Sequence, residues 1–241
     1  MFKAIKNLAP NLNDDGMEMV TDFEAAIWSA ARKVFPGMVA HGCSFHWAQA
    51  FWRNIQRLGL AVPYKTNPDV RKYIKQLLAL PYLPAHEIEG AFNVHTLSAT
   101  DLLKPLTEYI KSTWIDGQWP PENWSVYKRS IRTNNDVEGW HHRLNRHAVR
   151  SNLPMYMLVT LLHKEAKHIP YQMRMVSENQ LRRYQRRATK QTEGNLAQLW
   201  KDFERNQLSI SQLLKKASRQ SVPPSLPPRA TQSNSVTPVG Q

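Results

Sequence analysis

Met17-Glu18-Met19-Val20-Thr21-Asp22-Phe23-Glu24-Ala25-Ala26-Ile27-Trp28-Ser29-Ala30-Ala31-Arg32-Lys33-Val34 is the stretch that decides the fold class. Met17 to Val20 reads as a short strand that delivers Asp22 at its carboxyl end. Phe23, Ala26, Ile27, Ala30, Ala31 and Val34 then recur at helical spacing, and the pattern stops before Pro36-Gly37. Downstream, Met38-Val39-Ala40 predicts a second short strand leading to Cys43. Trp47 to Leu58 predicts a helix stopped by Gly59. Upstream, Asn11 to Gly16 is a cluster of turn formers that ends a lead-in over residues 1–16. Strand, acidic residue, helix, strand, helix over residues 17–66 points to an α/β unit.

The rest of the chain reads as helical. Val70–Leu80, Ala85–Val94 and Leu102–Trp114 carry helical periodicity, with Pro81 and Pro84 breaking the first from the second. Residues 67–127 therefore form an all-helical segment that ends in an ordered aromatic loop, Trp114 to Trp124. Residues 128–170 hold two helices. Asn134 or Asn135 caps the first, which carries Glu138. The second runs from Met155 to His168 with Met155, Leu158, Val159, Leu162 and Ala166 on one side. A basic, Gln-rich helical extension follows over 171–217. The Ser/Pro/Gln-rich residues 218–241 lack the apolar content to pack and are expected to be disordered.

Composition narrows the class of partner. The 241 residues are 41% hydrophobic, enough for a sizeable core, yet carry a formal charge of +13. The sequence pI is near 10.0. The excess is concentrated: Lys128 to Lys190 holds 14 Lys and Arg against 4 Asp and Glu. Clustered cations of this kind gain from displacing counterions on double-stranded DNA, although a solvated helical face has the same composition. With only Cys43 present, an intramolecular disulfide is excluded, as expected of a reducing compartment, nucleus or cytoplasm. No apolar run of about 18 residues occurs, so no membrane partner is expected.

Three islands carry the chemistry: Thr21-Asp22-Phe23-Glu24, Cys43-Ser44-Phe45-His46-Trp47, and Thr133-Asn134-Asn135-Asp136-Val137-Glu138-Gly139-Trp140-His141-His142. Asp22 and Glu138 are hard oxygen donors suited to Mg²⁺ or Mn²⁺. Cys43 and His46 have the spacing of a zinc half-site, for which His41, His141 and His142 are candidate completing ligands. A buried Cys beside a core His has the same spacing. Glu24 places a favourable charge at a helix amino terminus. Glu138, His141 and His142 share a helix face. Arg129, Arg132, Arg143, Arg146 and Arg150 surround that helix and can meet DNA phosphates. Arg182, Arg183, Arg186 and Arg187 repeat as a basic helical face, which also suits a nuclear import signal.

In order and content the islands resemble the transposases of Mutator-like elements, DDE recombinases with an RNase H-like core. That family has a Thr-Asp-x-Glu-x-Ala segment, then Cys-x-x-His, then an Asn-Asn-x-x-Glu-x-x-His helix, here ending on His141 or His142. The resemblance spans roughly residues 15 to 170. It implies that Asp22 and Glu138 are catalytic carboxylates that bind Mg²⁺ or Mn²⁺ for DNA strand cleavage and transfer. It also implies that the 116 positions from Asp22 to Glu138 contain a helical insertion, and that the protein self-associates on DNA in the nucleus. The family's first Asp has no counterpart. Asp14 and Asp15 precede Asp22 by only 8 and 7 positions, too few for a separate strand. The expected fold is thus α/β: a truncated RNase H-like core with a large all-helical insertion, helix-rich overall, with exposed apolar sheet edges and a disordered tail. The expected function is DNA binding without complete catalysis. The alternatives are an active transposase with a further upstream segment, or a domesticated protein-interaction factor.

Overall fold

The structure, a computed structural model, describes residues 1–129, 131–133, 135–148, 152–178 and 187–221. The side chains of 135–138, 172, 176–177 and 187–190 lie outside that description. The predictions for Asn134, Arg150, Arg182, Arg183, Arg186 and the tail from 222 onward also fall outside the described residues, as do those for the side chains of Glu138 and Arg187.

β1 (Glu18–Thr21) and β2 (Val39–Gly42) pair in parallel, Glu18 opposite Val39 and Thr21 opposite Gly42. The helix α2 (Ala25–Val34) connects them, because parallel neighbours need a crossover. The strand–Asp–helix order is as predicted, with shifted ends. The helix begins at Ala25 rather than Phe23, since Phe23 is used for packing across the sheet. A Cβ added to Gly42 would stand 2.1 Å from its ring, which also meets Trp114 edge-on at 4.8 Å. Only a residue without a side chain fits beneath Phe23. Trp28 Nε1 donates to the Asp22 carbonyl at 2.7 Å, tying α2 to the end of β1.

The helix α3 (Ser44–Arg57) starts three residues before the predicted Trp47, where the β ladder ends with Cys43 N–H donating to Thr21 O at 2.8 Å. Gly59 stops the chain's helical course with φ +71°, as read from sequence. Two short helices had no readable period: α1 (Phe2–Leu8) and α4 (Ala61–Thr66). The helix α5 (Pro68–Leu77) is begun by Asn67, whose side chain accepts from Asp69 and Val70 N–H. It stops short of Leu80, which opens a 3₁₀ turn through Tyr82. α6 (Ala85–Thr96) and α7 (Lys104–Ile110) follow, and α7 widens into a π-helical turn at Lys111–Ile115. The predicted aromatic loop is corrected here. It holds that π turn and a short helix, α8 (Pro121–Trp124), which packs along β2.

Beyond these lie α9 (Asn135–Ala148), α10 (Met155–Ser177), α11 (Arg187–Glu204) and α12 (Ile210–Ala217). α10 crosses the predicted boundary at 170 with Pro170 inside it. Proline leaves the Ala166 carbonyl without its helical donor, but both residues are exposed, where water can take that place. The tail was expected from Ser218. The first four of its residues instead finish the α12 turn, with Ser218 and Ser221 buried. α12 itself is begun by a reciprocal Ser209–Gln212 capping box.

The core is aromatic. Trp47 stacks on Phe51 and Trp124 at 5.3 and 5.4 Å, and Trp28 meets Trp119 at 4.7 Å. Trp124 Nε1 donates to both Trp114 O and Trp119 O, at 3.0 and 3.1 Å, so its burial leaves no unmet donor. Leu196, Trp200, Leu213 and Leu214 from α11 and α12 complete the same core, and Trp200 Nε1 donates to Tyr82 O at 2.9 Å. Residues predicted as sheet, as insertion and as extension therefore share one interior. Of the sheet, Val39 stands half exposed, while Met17 and Met19 pack against the core. The result is a helix-rich α/β body with a two-stranded parallel sheet among the described residues.

Candidate functional site

Asp22 follows β1 directly, and His46 lies in the first turn of α3. Parallel pairing sets the ends of β1 and β2 side by side, so the two motifs meet there. His46 Nδ1 stands 2.9 Å from Asp22 Oδ1, and both side chains are partly open to solvent. Cys43, the residue before α3, is fully buried. Its placement is that of a packed thiol at a strand-to-helix junction.

The residue just before the third island reaches the same corner through the backbone. Ser44 N–H, at the start of α3, donates to Arg132 O at 2.9 Å. That bond holds the lead-in to α9 against the end of β2, and Glu138 lies one turn inside α9. The Thr-Asp and Cys-x-x-His segments thus meet at one corner, and the chain that leads into the Asn-Asn-x-x-Glu helix passes beside them.

Electrostatics lock this lead-in down. Arg129 donates through Nε to Ser125 O at 2.8 Å and through Nη1 to His41 Nε2, with Glu18 Oε1 3.9 Å away. Burial, reinforced by the Arg129 charge, pushes His41 down to about 4, against a weaker opposing effect of Glu18. His41 is therefore a neutral acceptor near pH 7. Arg132 donates to Glu193 of α11 at 3.2 Å, and Lys128 pairs with Glu204. These pairs rim a cavity of about 330 Å³ floored by Ala197 and Trp200.

α9 and α10 form a hairpin beside this corner. Glu165 of α10 accepts from Arg143 Nη2 at 2.6 Å and lies 3.4 Å from His147 Nδ1. The Arg143 hydrogen bond is the main cause that holds the Glu165 carboxyl below its ordinary range. Arg146, His141 and His142 are exposed on α9, with the His141 ring 5.2 Å from Trp140.

Of the predicted residues, the structure brings together Asp22, His46 and the approach to α9. It does not gather the zinc candidates. Among the described residues no three His, Cys, Asp or Glu side chains form a metal-sized group. His41, named as a zinc candidate, faces Arg129 instead. Arg129, Arg132 and Arg143 are held by protein acceptors, while Arg146 is open. Sequence reading missed Glu18, Glu165 and Glu193, the carboxylates beside these arginines. Glu193 and Glu165 lie 61 and 22 positions from their partners, and no local spacing marks such pairs. Among the described residues no helix is long and apolar enough to cross a membrane. No protein-family model, no curated protein and no solved structure matches the chain.

Proposed function

We propose that this chain is a duplex-DNA-binding relative of the Mutator-like transposases, carrying two carboxylates of their DNA-cleaving site. The observation that supports it is the meeting of the Thr-Asp and Cys-x-x-His motifs, with the approach to the third motif beside them. Asp22 follows β1, His46 meets Asp22 from the first turn of α3, and Arg132 O, three residues before the helix that carries Glu138, accepts from Ser44 N–H. A parallel β–α–β unit with an acidic residue at a strand end is also what part of an RNase H-like sheet requires.

The donor chemistry fits a hard cation. Asp22 is a half-open carboxylate fixed by an imidazole, and Glu138 is the second oxygen donor. These two residues would hold Mg²⁺ or Mn²⁺. A divalent cation held there would supply Lewis-acid activation of an attacking hydroxyl and charge stabilisation of a leaving 3′ oxygen. Strand transfer would need a further carboxylate beside Asp22 and Glu138, so DNA binding in the nucleus is the function proposed for the residues on this chain. Exposed Arg146 and the Arg182, Arg183, Arg186 and Arg187 cluster supply phosphate contacts.

Fluorescence anisotropy of the full chain with a labelled duplex tests this. Dissociation constants on the order of 10⁻⁶ to 10⁻⁴ M at physiological salt are expected, weakening steeply as salt rises. Changing Arg146 and the four clustered arginines to Ser should flatten the salt dependence. Affinity unchanged by those substitutions, or no binding at low salt, would refute the proposal.

A further inference from the structure

α10 carries an apolar stripe that the fold leaves uncovered. Met155, Val159, Leu162, Ala166, Ile169 and Met173 follow one another at steps of 4, 3, 4, 3 and 4 residues. All six are exposed, Met155 and Met173 at 73% and 67%. A helix that buries its face in a globular core repeats near 3.6 residues. A strict alternation of 4 and 3 repeats at 3.5, the signature of two helices wound about each other. α9 does not occupy this stripe, because it meets α10 around the turn at Glu165.

We propose that the occupant is a second copy of this chain, with α10 packed antiparallel on its twin. The stripe is self-complementary about Lys164. In that register Met155 meets the partner's Met173, Val159 meets the partner's Ile169, and Leu162 fills the space left by the partner's Ala166. A parallel pair in register would set Ala166 against Ala166 and leave a void, which cores of this kind do not tolerate. The antiparallel pair is isologous, so one patch serves both copies and the assembly closes as a dimer. It also opposes the two helix dipoles head to tail. The stripe is roughly 27 Å long, from 1.5 Å per residue. With Tyr156 at its edge, also exposed, it offers an area on the order of the 800 Å² per partner that a stable interface buries. That is more than the few hundred Å² of contiguous apolar surface a monomer ordinarily leaves in water.

Sedimentation velocity of the full chain across the micromolar range reads the outcome, independently of any DNA binding. The expected result is a shift from the 27.9 kDa monomer to twice that mass. A Leu162→Glu, Ile169→Glu variant should weaken the dimer by about 100-fold or more while circular dichroism and melting, compared at concentrations where the parent is monomeric, stay unchanged, since both residues are exposed in the monomer. For orientation, Met155→Cys and Met173→Cys chains should form disulfide-linked dimers when mixed and not when alone. A monomer throughout, or a dimer indifferent to the two Glu substitutions, would overturn the proposal. So would Met155→Cys chains that link to themselves.

Discussion

The body and the α9–α10 hairpin use their apolar residues in opposite ways. In the body, Trp28, Trp47, Trp114, Trp119 and Trp124 are buried with their neighbours, and the indole donors of Trp28 and Trp124 end on backbone carbonyls. In the hairpin the described contact between helices includes a charged clasp, Arg143 and His147 on Glu165, while Met155, Ile169 and Met173 stand in solvent. Burial of an aromatic side chain stabilises by several kcal/mol, whereas a partly exposed ion pair contributes roughly 0–1 kcal/mol. The body is therefore held mainly by apolar burial, and the described contact within the hairpin mainly by charge. The candidate site lies on the seam between them, where Arg132 O meets Ser44 N–H.

The sharpest way to break this contrast is to truncate one side chain on each side. Trp124→Ala should cost about 3–5 kcal/mol in urea unfolding, by emptying a stacked core site and stranding two carbonyls. Met155→Ala, compared at protein concentrations where the chain is monomeric, should change stability by less than about 0.5 kcal/mol. Equal losses would show that the hairpin is part of the body's cooperative unit.

A smaller effect belongs to the seam. His41 is held neutral in the folded state, with its pKa near 4 against 6.5 when unfolded. Between those values the unfolded chain binds the extra proton, so stability is full above pH 6.5 and falls as pH drops toward 4. The loss from this one group should be roughly 2 kcal/mol, less than the full shift implies because the site relaxes. Urea midpoints for the parent and His41→Gln should converge as pH falls from 7 to 4. A parallel pair of curves would remove His41 from the account.

Local features of this fold were legible because they depend on neighbours in sequence. The strand ending at Asp22, the stop at Gly59 and the break at Pro81 follow from residue chemistry within a few positions. So does the stripe on α10, although the structure divides it. Leu158, read with Met155 and Val159, is half buried, while those two face solvent. What the sequence could not disclose were pairings across long separations. Arg129 with His41 spans 88 positions and Trp200 with Tyr82 spans 118, and neither spacing carries a periodic signal. The burial of Ser218 and Ser221 was hidden for a related reason. Polar composition foretold a tail, but the capped α12 carries these residues into the core. The contact of Asp22 with His46 was likewise not legible, because it depends on the parallel pairing of β1 with β2.

Amide hydrogen exchange of the full chain, with and without duplex DNA, tests most directly whether the seam and hairpin are the DNA-binding region of a self-sufficient body. The account predicts slow exchange in α5 and α6 that DNA leaves unchanged. It also predicts faster exchange in α9 that DNA slows, together with residues 41–46 beside it. Protection confined to α5 and α6, or a uniform pattern that DNA does not alter, would contradict it.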